Sequence, residues 1–548
     1  MPVNNKSLVW IVPFFSSAIF IAACSGDASR HSEMKPSSPA PAQSYNYAPS
    51  QPVAPDSEDY TSIDVRPDYS SEEYGLVYEH DFLSPVNNPL STFSIDVDPA
   101  SYSNVRRFIQ NGQLPPEDAV RIEELVNYFS YDYPQPAGEH PFSITTEVAR
   151  CPWNPENKLV QIGLQGRDVS AERIPPGNLV FLIDVSGSMN QPDKLPLLQR
   201  GFRMMVERLR SEDRVAIVTY AGDAGLVLRS TPGSRKEEIL KAIDGLEPGG
   251  STAGGEGIHL AYRIAAENFI ANGNNRVILA TDGDFNVGVT SDNELVRLIE
   301  QKRETGVFLT VLGFGEGNLK DGKMEQIADK GNGHYAYIDG MDEARRVFVE
   351  GLSSTLFTIA KDVKVQVEFN PAHVKAYRLV GYENRMLAAR DFNNDGKDAG
   401  ELGAGHSVTA LYEIVPADAA PGTSSVDPLK YQSSENHPEL YTASTSGEIM
   451  NVKLRYKHPK QDQSRLIVHP VQDRDVMITQ SSGNLRFAAA VAEWGMLLRN
   501  SKYKGGADFE NVLALARDAR GEDLDGARAE FINLVSSSYL FSQGYATR

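Results

Sequence analysis

Leu179-Val180-Phe181-Leu182-Ile183-Asp184-Val185-Ser186-Gly187-Ser188 is a run of five apolar residues that ends in a carboxylate and two hydroxyls, and a helical pattern follows it. The continuous apolar run predicts a strand buried on both faces. Its polar end places Asp184, Ser186 and Ser188 in a tight loop, where alternate residues point the same way. Three oxygens can then face one hard cation, which is the ligand type that magnesium prefers. A D-x-S-x-S run is short and occurs by chance. Two further segments lift it above chance: Gly250-Ser251-Thr252 at a helix start, and Thr281-Asp282-Gly283 at the end of another apolar strand.

The surrounding pattern alternates apolar runs with amphipathic helices. Residues 215–218, 277–280 and 307–312 predict strands of a parallel sheet covered by helices. Leu198, Phe202, Met205 and Leu209 fall on one helical face, and Ser291 with Glu294 forms a capping box before a helix that Gly306 ends. This is a doubly wound, mostly parallel α/β domain. In such sheets ligands collect beyond the carboxyl ends of the central strands, which is where the three polar segments lie.

Those segments resemble the metal-ion-dependent adhesion site of von Willebrand factor type A domains. In that family the D-x-S-x-S loop follows the first strand, a Thr comes from the loop between the second and third helices, and an Asp follows the fourth strand. The match falls on Asp184, Ser186, Ser188, Thr252 and Asp282, with no departure, and covers about residues 176–358. The resemblance implies a six-stranded Rossmann-like domain that holds a divalent cation, magnesium first, with manganese or calcium also fitting. It further implies a cation with an open position for the Asp or Glu carboxylate of a partner protein. In relatives ligand engagement can shift the last helix, here about residues 341–359.

The flanks have a different period. Residues 93–97, 142–144, 363–369, 408–414 and 452–456 alternate apolar and polar side chains, which marks half-buried antiparallel strands. They lie on both sides of the α/β domain in sequence. The economical arrangement is one antiparallel β-sandwich into which the α/β domain is inserted. Helices are expected around 103–109 and 119–129, and two or three more between 485 and 539. The resulting domain expectation is an N-terminal region over 76–175, the type A domain over 176–358, sandwich strands over 359–480 and C-terminal helices over 481–548. That organisation resembles bacterial lipoproteins with an associated region before the type A domain and an uncharacterised region after it.

The N-terminus carries a broken apolar stretch over residues 8–23, too short for a membrane span of about 20 residues. A cleaved signal peptide over 1–23 is the expected reading. Ile21-Ala22-Ala23-Cys24 resembles a bacterial lipobox, which makes Cys24 the lipidation site, and Ser25 favours the outer membrane in a Gram-negative cell. Residues 24–75 are rich in Ser, Pro, Ala and Tyr and read as a tether. Cys151 is the one remaining thiol, so no internal disulfide is expected. With 53 basic against 73 acidic residues the chain carries a net charge of −20, which argues against nucleic acid as a partner and leaves the membrane link to the lipid.

Two other motifs are set aside. Asp391, Asn393, Asp395 and Gly396 imitate half a calcium loop, but Leu402 stands where the bidentate Glu belongs. Gly317 to Lys323 imitates a phosphate loop, but Met324 replaces the metal-binding hydroxyl, so no nucleotide is expected. No H-E-x-x-H, G-x-S-x-G or CxxC pattern is present, and Asp284 beside Asp282 reads as a solvated loop residue. The expectation is a cell-envelope binding module rather than an enzyme. A structural metal in an assembly subunit, or an enzyme seated in the flanking domains, are the rival readings.

Overall fold

The computed structural model describes residues 71–544 apart from 97, 222, 251–254, 284–291, 352–356 and 420–445. Residues 1–23, Cys24, most of the expected tether, Thr252, Asp284 and the expected cap at Ser291 lie outside the described residues. The centre of the fold is a six-stranded sheet. Across it run Asp223–Pro232, Arg214–Ala221, Gly177–Asp184, Asn274–Thr281, Phe308–Phe314 and Tyr335–Ile338. Every pairing is parallel except that of the edge strand Asp223–Pro232. Gly177–Asp184 is buried along its whole length, as its unbroken apolar run requires. The strand order reverses at this element, because its neighbours are the strand after it and the strand Asn274–Thr281. That reversal places a crevice at the carboxyl end of Gly177–Asp184.

Helices cover both faces. Leu195–Arg208 buries Leu198, Phe202 and Met205 against Phe181 and Ile183, while Gly255–Glu267 lies on the opposite face against Val180 and Leu182. The last helix of the type A domain begins at Met341, as expected. It runs over Met341–Arg345, continues as a π-helical turn over Arg346–Glu350, and the next strand already begins at Thr358, so Ile359 is a sandwich residue. Alternation at Ile359, Val363 and Val365 outweighs helical spacing there.

Two antiparallel sheets form the sandwich. One contains Leu90–Ser94, Thr358–Phe369, Glu448–Lys457 and Ser464–Gln472, with Gly400–Gly403 added beside Thr358–Phe369. The other contains Val374–Val380, Ser407–Pro416, Asn154–Gly166 and Phe142–Cys151. Both sheets pair strands from before the α/β domain with strands from after it, which is the insertion read from the sequence. Phe369 stacks on Tyr377 across the two sheets at 3.7 Å between ring centroids. A separate core joins the helices Ala100–Gln110 and Ile122–Asn127 to the C-terminal helices Gly483–Leu498, Phe509–Asp518 and Ala527–Ser542. The two ends of the chain thus build one helical layer. Cys151 is buried there as a free thiol. No helix among the described residues is long and apolar enough to cross a membrane.

Candidate metal centre

The loop after Gly177–Asp184 folds as the alternation of its residues requires. The Ser186 backbone N–H donates to Asp184 Oδ1 at 2.8 Å, closing the turn. Ser186 Oγ and Ser188 Oγ stand 2.9 Å apart, so two hydroxyls converge. Thr281 Oγ1 donates to Asp184 Oδ2 at 3.4 Å, which ties the loop to the end of the neighbouring strand. The loop that bears Thr252 is attached as well: Gly249 N–H donates to the Val185 carbonyl at 2.7 Å and Gly187 N–H to that of Gly250 at 3.4 Å. Asp184, Ser186, Ser188 and Asp282 therefore converge, and Gly249 and Gly250, which precede Thr252 in sequence, are hydrogen bonded to the loop that bears the first three.

Asp184 and Asp282 are both fully buried and in different electrostatic states. Burial pushes the Asp184 carboxyl up to about 6, the Asp282 charge adds to the push, and hydrogen bonds from Ser186 oppose it. For Asp282 burial also works upward, but hydrogen bonds from Lys194 and Ser188 and the Lys194 charge outweigh it and hold the carboxyl below its usual range. Lys194 Nζ donates to Asp282 Oδ2 at 2.9 Å and to Asn318 Oδ1 at 3.4 Å. Asp282 Oδ1 is buried and has no hydrogen-bond partner among the described residues. A buried carboxylate oxygen without a donor is costly. It is the feature a bound cation or its water would relieve, so the residues present fit a divalent ion.

The donor set is two carboxylates and two hydroxyls, and among the described residues no group of three or more His, Cys, Asp or Glu side chains is placed to hold a metal ion. Neutral oxygens in this number suit magnesium, which takes octahedral oxygen and retains water.

Lys194 was not singled out in the sequence. Its signal was an electrostatic oddity: it stands as the N-cap of Leu195–Arg208, where a positive charge opposes the helix dipole, and it is 2% exposed. The calcium-like turn is explained by its neighbours. Lys457 Nζ donates to the Asp395 carbonyl at 2.5 Å, Ser464 Oγ to Asp395 Oδ1 at 2.5 Å and Arg455 to Asn393 Oδ1 at 2.9 Å. Its acceptors are spent on the sandwich. Residues of the phosphate-loop imitation are spent too, since Gly317 N–H donates to Glu72 Oε1 at 2.8 Å.

Comparison with known proteins agrees with this layout. Residues 178–348 match the von Willebrand factor type A domain, 68–161 match a model described as von Willebrand factor, and 354–540 match the C-terminal region of the uncharacterised protein YfbK. The Escherichia coli K12 protein YfbK is 44% identical over 455 residues, covering 82% of this chain and 78% of that protein. The uncharacterised Synechocystis protein sll0103 is 27% identical over 195 residues, covering 35% of this chain and 44% of that protein. Among solved structures, a von Willebrand factor type A protein from Catenulispora acidiphila covers 73% of this chain and 91% of its own, at 17% identity and a TM-score of 0.40. Taken with the inserted six-stranded domain and its C-terminal partner region, the 44% identity to YfbK and the two family matches over 178–348 and 354–540 establish that the chain belongs to the YfbK family of proteins built around a von Willebrand factor type A domain.

Proposed function

We propose that the protein is a lipid-anchored cell-envelope binding protein, not an enzyme, whose type A domain holds a divalent cation and through it engages a carboxylate of a protein partner. The observation that carries the reading is the buried Asp282 Oδ1 without a donor, set beside the paired hydroxyls of Ser186 and Ser188. Asp184, Ser186, Ser188, Thr252 and Asp282 would hold the ion, magnesium by the hardness and neutrality of its oxygens. When bound, the cation would supply an electrophilic position that an Asp or Glu side chain of the partner can occupy. This chain's own work is positioning. The Ser186 N–H fixes Asp184, and the strand ends at Asp184 and Thr281 hold the two carboxylates at one crevice.

Ser188 is exposed at the crevice while Ser186 and Asp184 are buried, so the site opens toward solvent on the Ser188 side. The anchor would be Cys24, and the acidic surface would leave the lipid as the membrane contact. The test is magnesium titration by calorimetry on wild type and Asp184→Asn, followed by capture of partners from envelope extracts with magnesium and with chelator. The expected result is a loss of affinity of about 100-fold or more in the variant, equal to roughly 2.8 kcal/mol. Partner capture should fall with both chelator and variant. A wild-type protein that takes up no divalent cation would overturn the reading.

A further inference from the structure

The segment that enters the described domains, Ser71–Glu73, pairs with no strand of the sandwich. It lies along the loop between the strand Phe308–Phe314 and the helix Asp321–Lys330, as a short parallel pairing at Glu73 and Lys320. Ser71 N–H donates to the Gly317 carbonyl at 2.7 Å, Glu73 N–H to that of Leu319 at 2.9 Å, and Asp321 N–H to that of Glu73 at 3.1 Å. Glu72 lies between them and is clamped by both nitrogens of Arg107, at 2.7 and 2.9 Å, while its Oε1 accepts from Gly317 N–H. Lys320 Nζ returns to the Ser71 carbonyl and to Glu73 Oε1, each at 2.6 Å.

The same loop touches the metal centre. Gly315, at φ +73°, leaves room for the Lys194 stem, and a Cβ at that position would collide with it. Asn318 Oδ1 accepts from Lys194 Nζ, and the Asn318 carbonyl closes over Gly283, at φ +117°, where no side chain would fit. One short loop therefore cradles the cation that neutralises Asp282 and is itself pinned by residues 71–73.

We propose that Ser71–Glu73 is a clip that keeps the Lys194 ammonium on Asp282, so that release of the clip frees Asp282 and tightens the centre for a divalent cation. The effect on cation affinity rests on the metal reading above; the hold on Lys194 does not. The logic is charge competition: an ammonium seated on a ligand carboxylate opposes a second cation at the same place.

The experiment uses the full chain with Glu72→Ala, Lys194→Met and the double variant. Lys194→Met should bind magnesium about tenfold more tightly and Glu72→Ala several-fold more tightly. The double variant should match Lys194→Met alone, since the clip acts through the lysine. In metal-free protein, acylation of Lys194 followed by mass spectrometry should be several-fold faster in Glu72→Ala, because a lysine released from Asp282 gains access to the reagent. Unchanged acylation in a folded Glu72→Ala protein would overturn the clip, as would additive effects in the double variant. Faster acylation with no magnesium uptake in any of the four proteins would uphold the clip's hold on Lys194, and would reject both the affinity effect and the metal reading.

Discussion

Two buried, charged regions of this molecule contrast in the cation that serves their carboxylates. At the seam between the type A domain, the sandwich and the helical layer, Arg385 meets Glu325 at 3.0 Å, Asp98 at 3.4 Å and also Asp329. Arg121 pairs with Glu124 at 2.5 Å and with Asp321, and Arg106 takes both oxygens of Asp339 at 2.6 Å and Glu343 at 2.8 Å. These guanidiniums are planar forks that satisfy several carboxylates at once. At the candidate metal centre the one ammonium, Lys194, bonds Asp282 and not Asp184, and Asp282 Oδ1 is left over. Burial of charge alone therefore does not mark function. Arginines bridge the seam even though Asp329 Oδ1 and Glu343 Oε1 there also accept no hydrogen bond, so what sets the candidate centre apart is an open acceptor beside converging hydroxyls.

The sharpest attempt to break this contrast is Arg385→Met. Removing the shared cation leaves three carboxylates buried at the seam, and stability should fall by about 3–5 kcal/mol. Denaturant midpoints measure it, and a loss below about 1 kcal/mol would remove the distinction between the two regions. Next in size is a buried carboxyl served by neutral donors only. Glu493 is fully buried and accepts from Asn511 Nδ2 at 2.9 Å on both oxygens, and burial pushes its carboxyl up to about 7 from an ordinary value of 4.5.

Between those two values the folded chain keeps a proton that the unfolded chain has lost. The sign follows directly: the Glu493 contribution to stability is lost as pH rises from about 4.5 to 7, by roughly 3 kcal/mol. Glu493→Gln should therefore be the more stable protein at pH 8 and nearly equal to wild type below pH 4.5. Equal pH slopes for the two proteins would reject the assignment.

A smaller effect is expected at the centre itself. Asp184 is buried in a form whose ionisation burial opposes, so Asp184→Asn should cost no more than about 1 kcal/mol of stability while removing cation affinity. A loss as large as that of Arg385→Met would make Asp184 a structural member of the core. The smallest effect belongs to the calcium-like turn. Asp395 accepts from Ser464, and Asp395→Asn should cost about 0–1 kcal/mol and leave divalent-cation titration unchanged.

Much of the fold was legible because its periodicities are strong. The unbroken apolar run at 179–183 can only be satisfied by burial on both faces, and the alternation at 363–369 only by a sheet with one face on a core. Alternation on both sides of the α/β domain was enough to read an insertion. Less legible were Asn154–Gly166, whose polar start at 154–158 gives no strand signal ahead of the alternating Val160, Ile162 and Leu164, and Ser464–Gln472, whose exposed Leu466 and Val468 weaken any pattern. The end of the last type A helix was also misread, since Thr358–Phe369 begins earlier than its polar flank suggested.

By itself the sequence determined the α/β class, the insertion and which residue types converge at the carboxyl edge of the sheet, because those follow from local periodicity and from loops at strand ends. Tertiary structure alone decided the electrostatic state of that edge. Lys194 reaches Asp282 across 88 positions, and Glu72 reaches Gly317 across 245. Contacts of such separation leave no periodic trace in the chain; they exist only once the sheet has set its strand ends side by side.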